Sequence, residues 1–298
     1  MKNSPLLSVI IPIYNSENYI QDCVGSLYFQ NVSEEKFEIL LVNDGSLDNS
    51  YEICQDLSRE HTNIRLFSQK NQGQAVARNL GIEQARGKYI MFVDSDDRLL
   101  DKVVAKMLAE AEKHQTDILI GSMKVYNAQG DATINSDFKR CNKDGSGEYA
   151  LLHGINTGSV CGRLFLNDFI KKNHLSFLPG IKHEDVLFTI KALSFAKRII
   201  SLNLCCYIYL WHGGSTDRSF DKNNKERSLL SNLRIAYEIT QLIRRNTYSN
   251  SLSKYLSQKC NSLLASNLLL LMRNKSFGLQ YLTMAKKMEL FPVKGNTP

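Results

Sequence analysis

The sequence predicts an α/β fold: a doubly wound, mostly parallel sheet with helices on both faces, followed by a helical C-terminal segment. Short apolar, β-favouring runs alternate with stretches whose apolar residues recur at helical spacing, as expected of parallel strands joined by right-handed crossovers. One run, Tyr89–Val93, is apolar throughout, which is typical of a strand buried on both faces. From Lys222 onward helical periods dominate. We therefore divide the chain into a body, residues 1–221, and a C-terminal segment, residues 222–298.

The individual elements follow from these periods. The predicted strands share branched and aromatic residues, and they are Leu6–Ile13, Phe37–Val42, Asn63–Phe67, Tyr89–Val93, Asp117–Tyr126 and Leu204–Trp211. The helices of the body are predicted after Ser16, which can cap the first one, around Ile53–Leu57, over Gln72–Arg86 and around Val103–Ala111. Residues 127–147 are polar and contain glycine, so we expect a loop or an insertion there.

Composition narrows the class of protein. With 298 residues, of which 43% are hydrophobic and 22% charged, the chain can build one large domain or one domain with an appendage. Its seven cysteines form no C-x-x-C pair and cannot all pair within one chain, which favours a reduced, cytoplasmic compartment. The N-terminal apolar run is too weakly flanked for a signal peptide. No stretch of 18 apolar residues is found, so we expect no membrane span.

Charge is distributed unevenly along the chain. From Lys222 to the end there are 13 Lys and Arg residues against three Asp and Glu residues. Such a basic segment points to an anionic partner, nucleic acid or a membrane surface, or to a solvated helical face. No aromatic-rich RNA-binding motif accompanies the charge, so we expect no nucleic acid partner.

Acidic residues follow the central strand directly. Asp94, Asp96 and Asp97 come where Tyr89–Val93 leaves the core, and ligands bind at the carboxyl ends of strands in open parallel sheets. Three carboxylates there can hold a hard divalent cation, or they can form an acid-rich turn before the next helix. The chain contains neither G-x-G-x-x-G after the first strand nor G-x-x-x-x-G-K-S/T, which argues against a dinucleotide oxidoreductase and a P-loop NTPase.

Five motifs in order resemble one known family. They are SVIIPIYN at 8–15, VNDGS at 42–46, Arg78 within QAVARNLGI, FVDSDD at 92–97 and HEDVLF at 183–188. Together they are similar to the motifs of family 2 glycosyltransferases, enzymes of the GT-A fold that move a sugar from a nucleotide-sugar to an acceptor hydroxyl with inversion. The resemblance is dense over residues 6–100 and thin to about residue 216. It implies a nucleotide-binding half, about 1–100, and an acceptor half, about 101–221.

The resemblance assigns the nucleotide to the carboxyl ends of the first two strands. Pro12 and Tyr14 would flank the uracil base, with Asn15 beside them, and Asp44 would accept the proton of uracil N3. Taken by itself, Asp44 is equally an Asp-Gly turn cap. A UDP-sugar is therefore the expected donor.

The diphosphate and its cation are assigned to the next motifs. By resemblance Asp96 is the direct metal ligand, and Asp94 contacts the ribose or a metal-bound water. Arg78 would stabilise the charge that develops on the leaving diphosphate. Asp97 is either a further ligand or a cap of the following helix. Oxygen ligands of this kind suit Mg²⁺ and Mn²⁺ alike.

The reacting acceptor is assigned to the last motifs. Asp185 would be the base that takes the proton of the acceptor hydroxyl, and Glu184 would raise its pKa or contact the acceptor. The structural alternative is a pair of acids favoured by the helix dipole. His212 lies in a glycine-rich loop where the family more usually has an arginine that reaches the diphosphate; otherwise it is a surface residue.

Two other functions fit the sequence less well. A nucleotidyltransferase would have a Gly-rich basic loop near residue 14, and a catalytically silent nucleotide-sugar-binding protein would not need Asp44, Asp96 and Asp185 together. The expected acceptor is a saccharide, or a lipid-linked saccharide in capsule, exopolysaccharide or lipopolysaccharide synthesis. The C-terminal segment would then dock peripherally on the inner face of the membrane, pack on the body or form a homodimer. Its apolar helical faces include Leu263, Leu264, Leu268, Leu271 and Met272.

Overall fold

A computed structural model of the protein describes residues 4–127, 129–135, 146–155, 158–210, 222–271, 275–288 and 290. It confirms the α/β class. The strands are β1 Leu7–Ile13, β2 Phe37–Asn43, β3 Ile64–Ser68, β4 Tyr89–Phe92, β5 Arg98–Leu99, β6 Ile118–Tyr126, β7 Ala132–Asn135, β8 Arg163–Leu166 and β9 Ile199–Leu210. The helices are α1 Ile20–Leu27, α2 Ser50–Glu60, α3 Gln74–Gln84, α4 Val104–His114, α5 Gly147–Leu152, α6 Asn167–Lys172, α7 Glu184–Phe195, α8 Lys222–Arg245, α9 Asn250–Leu271 and α10 Lys275–Lys287.

The strands of the described residues form one curled sheet in the order β3-β2-β1-β4-β8-β6-β9-β5, with β7 beside β6. Strands β1 to β4 are parallel to one another, as predicted, and β6 pairs in parallel with β9. Strand β8 runs antiparallel between β4 and β6, and the short β5 runs antiparallel beside β9. The parallel ladders are longer than the antiparallel ones, so the sheet is mostly parallel.

Packing in the core fixes the end of the central strand, β4. Every side chain of β4 is buried, because helices cover both faces of the sheet. The ring of Phe92 lies 5.2 to 5.9 Å from the rings of Phe165, Phe177 and Phe188. Hydrophobic packing therefore fixes the last residue of β4, and the chain turns polar immediately beyond it.

Helix α3 lies very close to the sheet. A Cβ atom at Gly81 would come 2.3 Å from Cγ2 of Ile10, so only glycine permits this packing of α3 on β1. The close approach brings Arg78, one turn earlier on the same helix, to the edge of β4.

The C-terminal helices pack on the body of the protein. Helix α8 contacts α7, where Lys191 and Glu238 form an ion pair of 2.9 Å, and α9 contacts α5. Leu264 is buried and Leu263 is partly buried against the core, so this part of the apolar face is covered by protein. The side chains of Leu268, Leu271 and Met272 lie outside the described residues. No helix in the described part of the chain is long and apolar enough to cross a membrane.

Candidate active site

The loops after β1 and β2 are tied together at the carboxyl edge of the sheet. Asn15 donates its backbone N–H to Oγ of Ser46 at 3.1 Å, and its own Oδ1 accepts the N–H of Leu47 at 2.8 Å. Asn15 has a φ of 51°, a left-handed conformation that asparagine tolerates better than most residues. Ser16 donates its N–H to Oγ of Ser50 at the start of α2. Its hydroxyl contacts Ser95 rather than capping α1, which begins only at Ile20.

The two residues expected to flank the base are placed differently. Tyr14 is 46% exposed at the end of β1, so its ring is available for stacking. Pro12 is buried within β1, opposite Val42 of the neighbouring strand, because strand residues alternate between the two faces and helices cover both. Leu47, which sequence reasoning missed, is 86% exposed next to Asn15. Leu47 could have been noticed in the sequence because it is an apolar residue within the polar stretch Gly45–Ser50.

Asp44 is buried just beyond the end of β2 and holds the start of α3. Its Oδ1 accepts from Nε2 of Gln69 at 2.7 Å and from the N–H of Gln72 at 2.9 Å, and its Oδ2 accepts from the N–H of Gly73 at 2.7 Å. A carboxylate has about four acceptor positions, so these three hydrogen bonds leave one of them unused. Asp44 is thus a loop cap and still has the acceptor capacity expected of a uracil-binding residue.

Arg78 lies at the centre of a cluster of three carboxylates. Its Nη2 is 2.7 Å from Oδ1 of Asp94, and its Nη1 is 2.8 Å from Oε1 of Glu184 and 2.7 Å from Oδ1 of Asp185. The guanidinium is 2% exposed and lies 5.2 Å above the ring of Phe177. By resemblance Arg78 is expected at the diphosphate. In the structure its partners are these three carboxylates, and its side chain is buried where α3 packs close to the sheet.

The charges of this cluster act on one another. Burial by itself would lower the pKa of Arg78, but Asp185, Asp94 and Glu184 hold that pKa well above its usual value. Burial raises the pKa of Asp185 to about 7; Arg78 opposes this rise and Glu184 adds to it. A carboxylate with a pKa near neutrality is poised to accept a proton.

Asp185 is held from two sides, by a backbone N–H and by the guanidinium of Arg78. Its Oδ2 accepts the N–H of Val160 at 3.2 Å, while Oδ1 faces Arg78. Asp185 is in the first turn of α7, and His183 before it has a φ of 60°, which a non-glycine residue adopts at some cost. A left-handed residue directly before the acidic pair reverses the chain, so that both acids face Arg78.

Two residues in and beside the cluster were not among the residues predicted from the sequence. Cys161 points its thiol at Oδ2 of Asp94, 3.6 Å away, and burial raises the pKa of that thiol well above its usual value, so it stays protonated. Asn79 exchanges two hydrogen bonds of 2.8 Å with the backbone of Phe177. Asn79 could have been suspected from its place beside Arg78, whereas nothing around Cys161 indicates its contact.

Asp96 and Asp97 differ in their surroundings. Asp96 is partly exposed at the carboxyl end of β4. Asp97 is buried and accepts from the hydroxyl of Tyr207 at 2.7 Å and from the N–H of Leu210 at 3.0 Å. Burial, together with the charges of Asp94 and Asp96, raises the pKa of Asp97 to about 8. Asp97 thus anchors the end of β9, which sequence analysis did not foresee.

The acidic edge fits a hard cation by charge and by donor type. In the described residues no group of three His, Cys, Asp or Glu side chains is arranged to hold a metal ion. Magnesium, however, keeps several waters and uses one or two carboxylates together with substrate phosphates. Asp96, with Asp94 beside it, offers that donor set. The pKa of Asp97 is raised first by burial and then by the charges of Asp94 and Asp96. His212 lies outside the described residues.

The chain is similar in sequence to a family of known proteins. The family described as Glycosyl transferase family 2 matches residues 8–171. The uncharacterized glycosyltransferase YibD of Escherichia coli (strain K12) is 32% identical over 250 residues, which are 82% of this chain and 71% of that protein. EpsJ of Bacillus subtilis (strain 168), an uncharacterized glycosyltransferase, is 45% identical over 213 residues, 69% of this chain and 61% of that protein.

The fold has a close match among solved structures. The crystal structure of S. aureus TarS 1–349 in complex with UDP-GlcNAc superposes with a TM-score of 0.70 and 28% identity, covering 88% of this chain and 71% of that one. The match confirms the expected GT-A architecture. This chain belongs to glycosyl transferase family 2 and is a glycosyltransferase.

Proposed function

We propose that the protein is an inverting glycosyltransferase that uses a UDP-sugar and that Asp185 is its catalytic base. One observation carries the proposal: a single buried guanidinium, that of Arg78, joins Asp185 to Asp94. Asp94 follows β4 at the carboxyl ends of β1, β2 and β4, which we call the donor edge. The base is thereby held at a fixed position relative to the strand end where the donor diphosphate would bind. The similarity to TarS, whose crystal structure contains UDP-GlcNAc, supports UDP as the nucleotide.

The donor would bind across the carboxyl ends of β1, β2 and β4. The exposed ring of Tyr14 stacks on the base, and the remaining acceptor position of Asp44 takes the N3 proton of uracil. Asn15 and Leu47, whose loops are hydrogen-bonded together, line the same entrance. Asp94 and Asp96 then face the ribose and the diphosphate.

A divalent cation, Mn²⁺ or Mg²⁺, held by Asp96 with help from Asp94, would stabilise the negative charge of the diphosphate leaving group. The chain itself supplies the partly exposed carboxylates of Asp94 and Asp96. Tyr207 holds this loop in place: its hydroxyl accepts the N–H of Asp94 and donates to Asp97. Two anions, the carboxylate edge and the diphosphate, would repel each other without a bridging cation.

Asp185 would take the proton from the acceptor hydroxyl as that oxygen attacks the anomeric carbon. The N–H of Val160 and the guanidinium of Arg78 each bind one of its oxygens, so the carboxylate cannot rotate freely. Attack from the face opposite the diphosphate inverts the anomeric configuration. Arg78 acts here as a positioning residue, because its three carboxylate contacts leave it no direct path to the leaving group.

The acceptor is proposed to be a saccharide carried on a lipid. Helix α10 exposes Leu282 and Met284 together with Lys286 and Lys287, a combination of apolar and basic residues that suits an anionic membrane surface. This surface replaces the leucines of α9 as the proposed docking element, because Leu264 is buried in the protein.

The direct test of the proposed function is a screen of nucleotide-sugars with Mn²⁺ present. We expect one or a few UDP-sugars to raise the melting temperature and to be consumed with release of UDP. Nucleotide-sugars built on GDP or CDP should do neither. Stabilisation by GDP-sugars and none by UDP-sugars would overturn the assignment of Asp44 and of the donor.

A further inference from the structure

The turn that leads into the catalytic helix is held by the C-terminal segment of the chain. Residues 178–183 form this turn, and Glu184 and Asp185 follow it directly at the start of α7. Helix α8 packs against α7. None of the five motifs that identify the family lies in α8, so its residues have no role in the function described so far.

Ser231 of α8 makes the central contact with this turn. Its hydroxyl accepts the backbone N–H of Lys182 at 2.8 Å and donates to the carbonyl of Arg227, one turn earlier on its own helix, at 2.7 Å. Ser231 is 4% exposed, so no solvent is at hand to replace it. Loss of the hydroxyl would leave the partly buried N–H of Lys182 without this acceptor, which is costly where water does not replace it. The hydroxyl of Ser231 therefore holds the turn in place.

Two further contacts extend along the same side of α8. Nη1 of Arg234 lies 3.5 Å from the carbonyl oxygen of Pro179. Farther along the two helices, Nζ of Lys191 is 2.9 Å from Oε2 of Glu238, and both side chains are about three-quarters buried. The three contacts follow the chain from residue 179 through the turn and into α7.

The conformation of the turn depends on such support. His183 occupies a left-handed backbone conformation, which L-residues adopt only where the surrounding structure over-determines it. The neighbouring N–H, that of Lys182, is the one that Ser231 accepts. Release of this hydrogen bond would let the turn relax, and the carboxylate of Asp185, two residues after His183, would move with it.

We propose that Ser231 is a positioning residue for Asp185. Helix α8 is therefore required for catalysis, although it lies outside the body of the chain. The inference rests on the proposed function, since it requires Asp185 to be the base. Misplacement of a reacting group by about 1 Å can cost roughly 100-fold in rate. Loss of the Ser231 hydroxyl should accordingly affect turnover and leave the donor edge at β1, β2 and β4 intact.

The test compares Ser231→Ala with a matched control, Ser257→Ala. Ser257 in α9 makes the same kind of hydrogen bond to its own helix, 2.8 Å to the carbonyl of Ser253, but is not hydrogen-bonded to the turn. We expect Ser231→Ala to lower kcat roughly 10- to 100-fold, with UDP affinity in the presence of Mn²⁺ unchanged. Ser257→Ala should match the wild type in both, and Ser231→Thr, which keeps the hydroxyl, should recover most of the lost kcat.

Glu238→Gln serves as a second variant in case Ser231→Ala does not fold. It weakens the ion pair with Lys191 and should lower kcat by a smaller factor, again at unchanged UDP affinity. Normal kcat in Ser231→Ala, or a parallel loss of kcat and UDP affinity in the variants, would overturn the inference. Asp185→Asn, assayed beside them, separates the two proposals: if that variant transfers sugar normally, the base assignment fails, whatever Ser231→Ala does.

Discussion

Nη1 of Arg78 lies 2.7 Å from Oδ1 of Asp185, which ties α3 to the first turn of α7 across 107 residues of sequence. The same guanidinium holds Asp94 through Nη2. The proposed base and the donor edge therefore share one buried cation, and their spacing is set by the core rather than by surface loops.

Removal of Arg78 should destabilise the protein strongly. In Arg78→Met three carboxylates lose the buried guanidinium that they share, and breaking a buried ion pair in this way typically costs about 3 to 5 kcal/mol. Urea denaturation of the variant measures the loss in the free energy of unfolding. Arg59→Met is the control, because the ion pair of Arg59 with Asp56 is exposed and contributes little. Equal stability of the two variants would contradict the central place of Arg78.

Asp96→Ala should abolish cation-dependent binding of UDP. Without this carboxylate the diphosphate lacks its bridging cation, and the remaining acids repel it. Calorimetry with UDP, with and without Mn²⁺, measures the effect. Asp101→Ala removes an exposed acid five residues farther on and should bind UDP as the wild type does. If Asp96→Ala keeps Mn²⁺-dependent affinity, the metal is held elsewhere.

Asp44→Asn should weaken UDP binding roughly 10- to 100-fold, because a hydrogen bond to a charged group contributes about 1.5 to 3 kcal/mol. It should also lower the melting temperature, since Asp44 caps the start of α3. Asp117→Asn controls for the second effect: Asp117 accepts two backbone N–H groups, those of Lys197 and Arg198, at the opposite edge of the sheet. An Asp44→Asn variant that loses stability but no UDP affinity would reduce Asp44 to a structural cap.

Binding to anionic liposomes should depend on α10. Each Lys or Arg near an anionic surface contributes on the order of 1 kcal/mol, so the double variant Lys286→Glu and Lys287→Glu should sediment far less with phosphatidylserine vesicles. Added salt should weaken the binding of the wild type through screening. Lys171→Glu with Lys172→Glu, at the end of α6, is the matched control. Equal loss in both double variants would indicate a general charge effect and no docking surface.

Much of the fold was predictable because its signals are local. The alternation of β1 to β4 with α1 to α3, and the polar residues that end these strands, follow from hydrophobic periods within short windows. Antiparallel β8 between β4 and β6 was not predicted, since strand direction depends on contacts far apart in sequence. The packing of α8 and α9 could not be predicted for the same reason. Their apolar faces predict that they are buried, but not which part of the protein covers them.

The residues of the candidate site could be predicted from the sequence, but most of the contacts between them could not. Asp94, Glu184 and Asp185 were all named from their motifs, yet nothing local shows that Arg78, 16 residues from the first and more than 100 from the others, holds all three. Pro12 illustrates the same point: its motif marks it as part of the site, while its burial depends on the helices that cover the sheet.

The activity of Asp185→Asn, measured across pH with the donor and acceptor that the screen identifies, tests the central claim most directly. The pKa of Asp185 is raised to about 7, and the base must be ionised, so kcat/KM of the wild type should rise with pH and level off above about 7. Asp185→Asn should bind UDP normally, transfer sugar roughly 10² to 10⁴ times more slowly and lose this rise. Near-normal transfer by the variant, with the same dependence on pH, would contradict the assignment of Asp185 as the base.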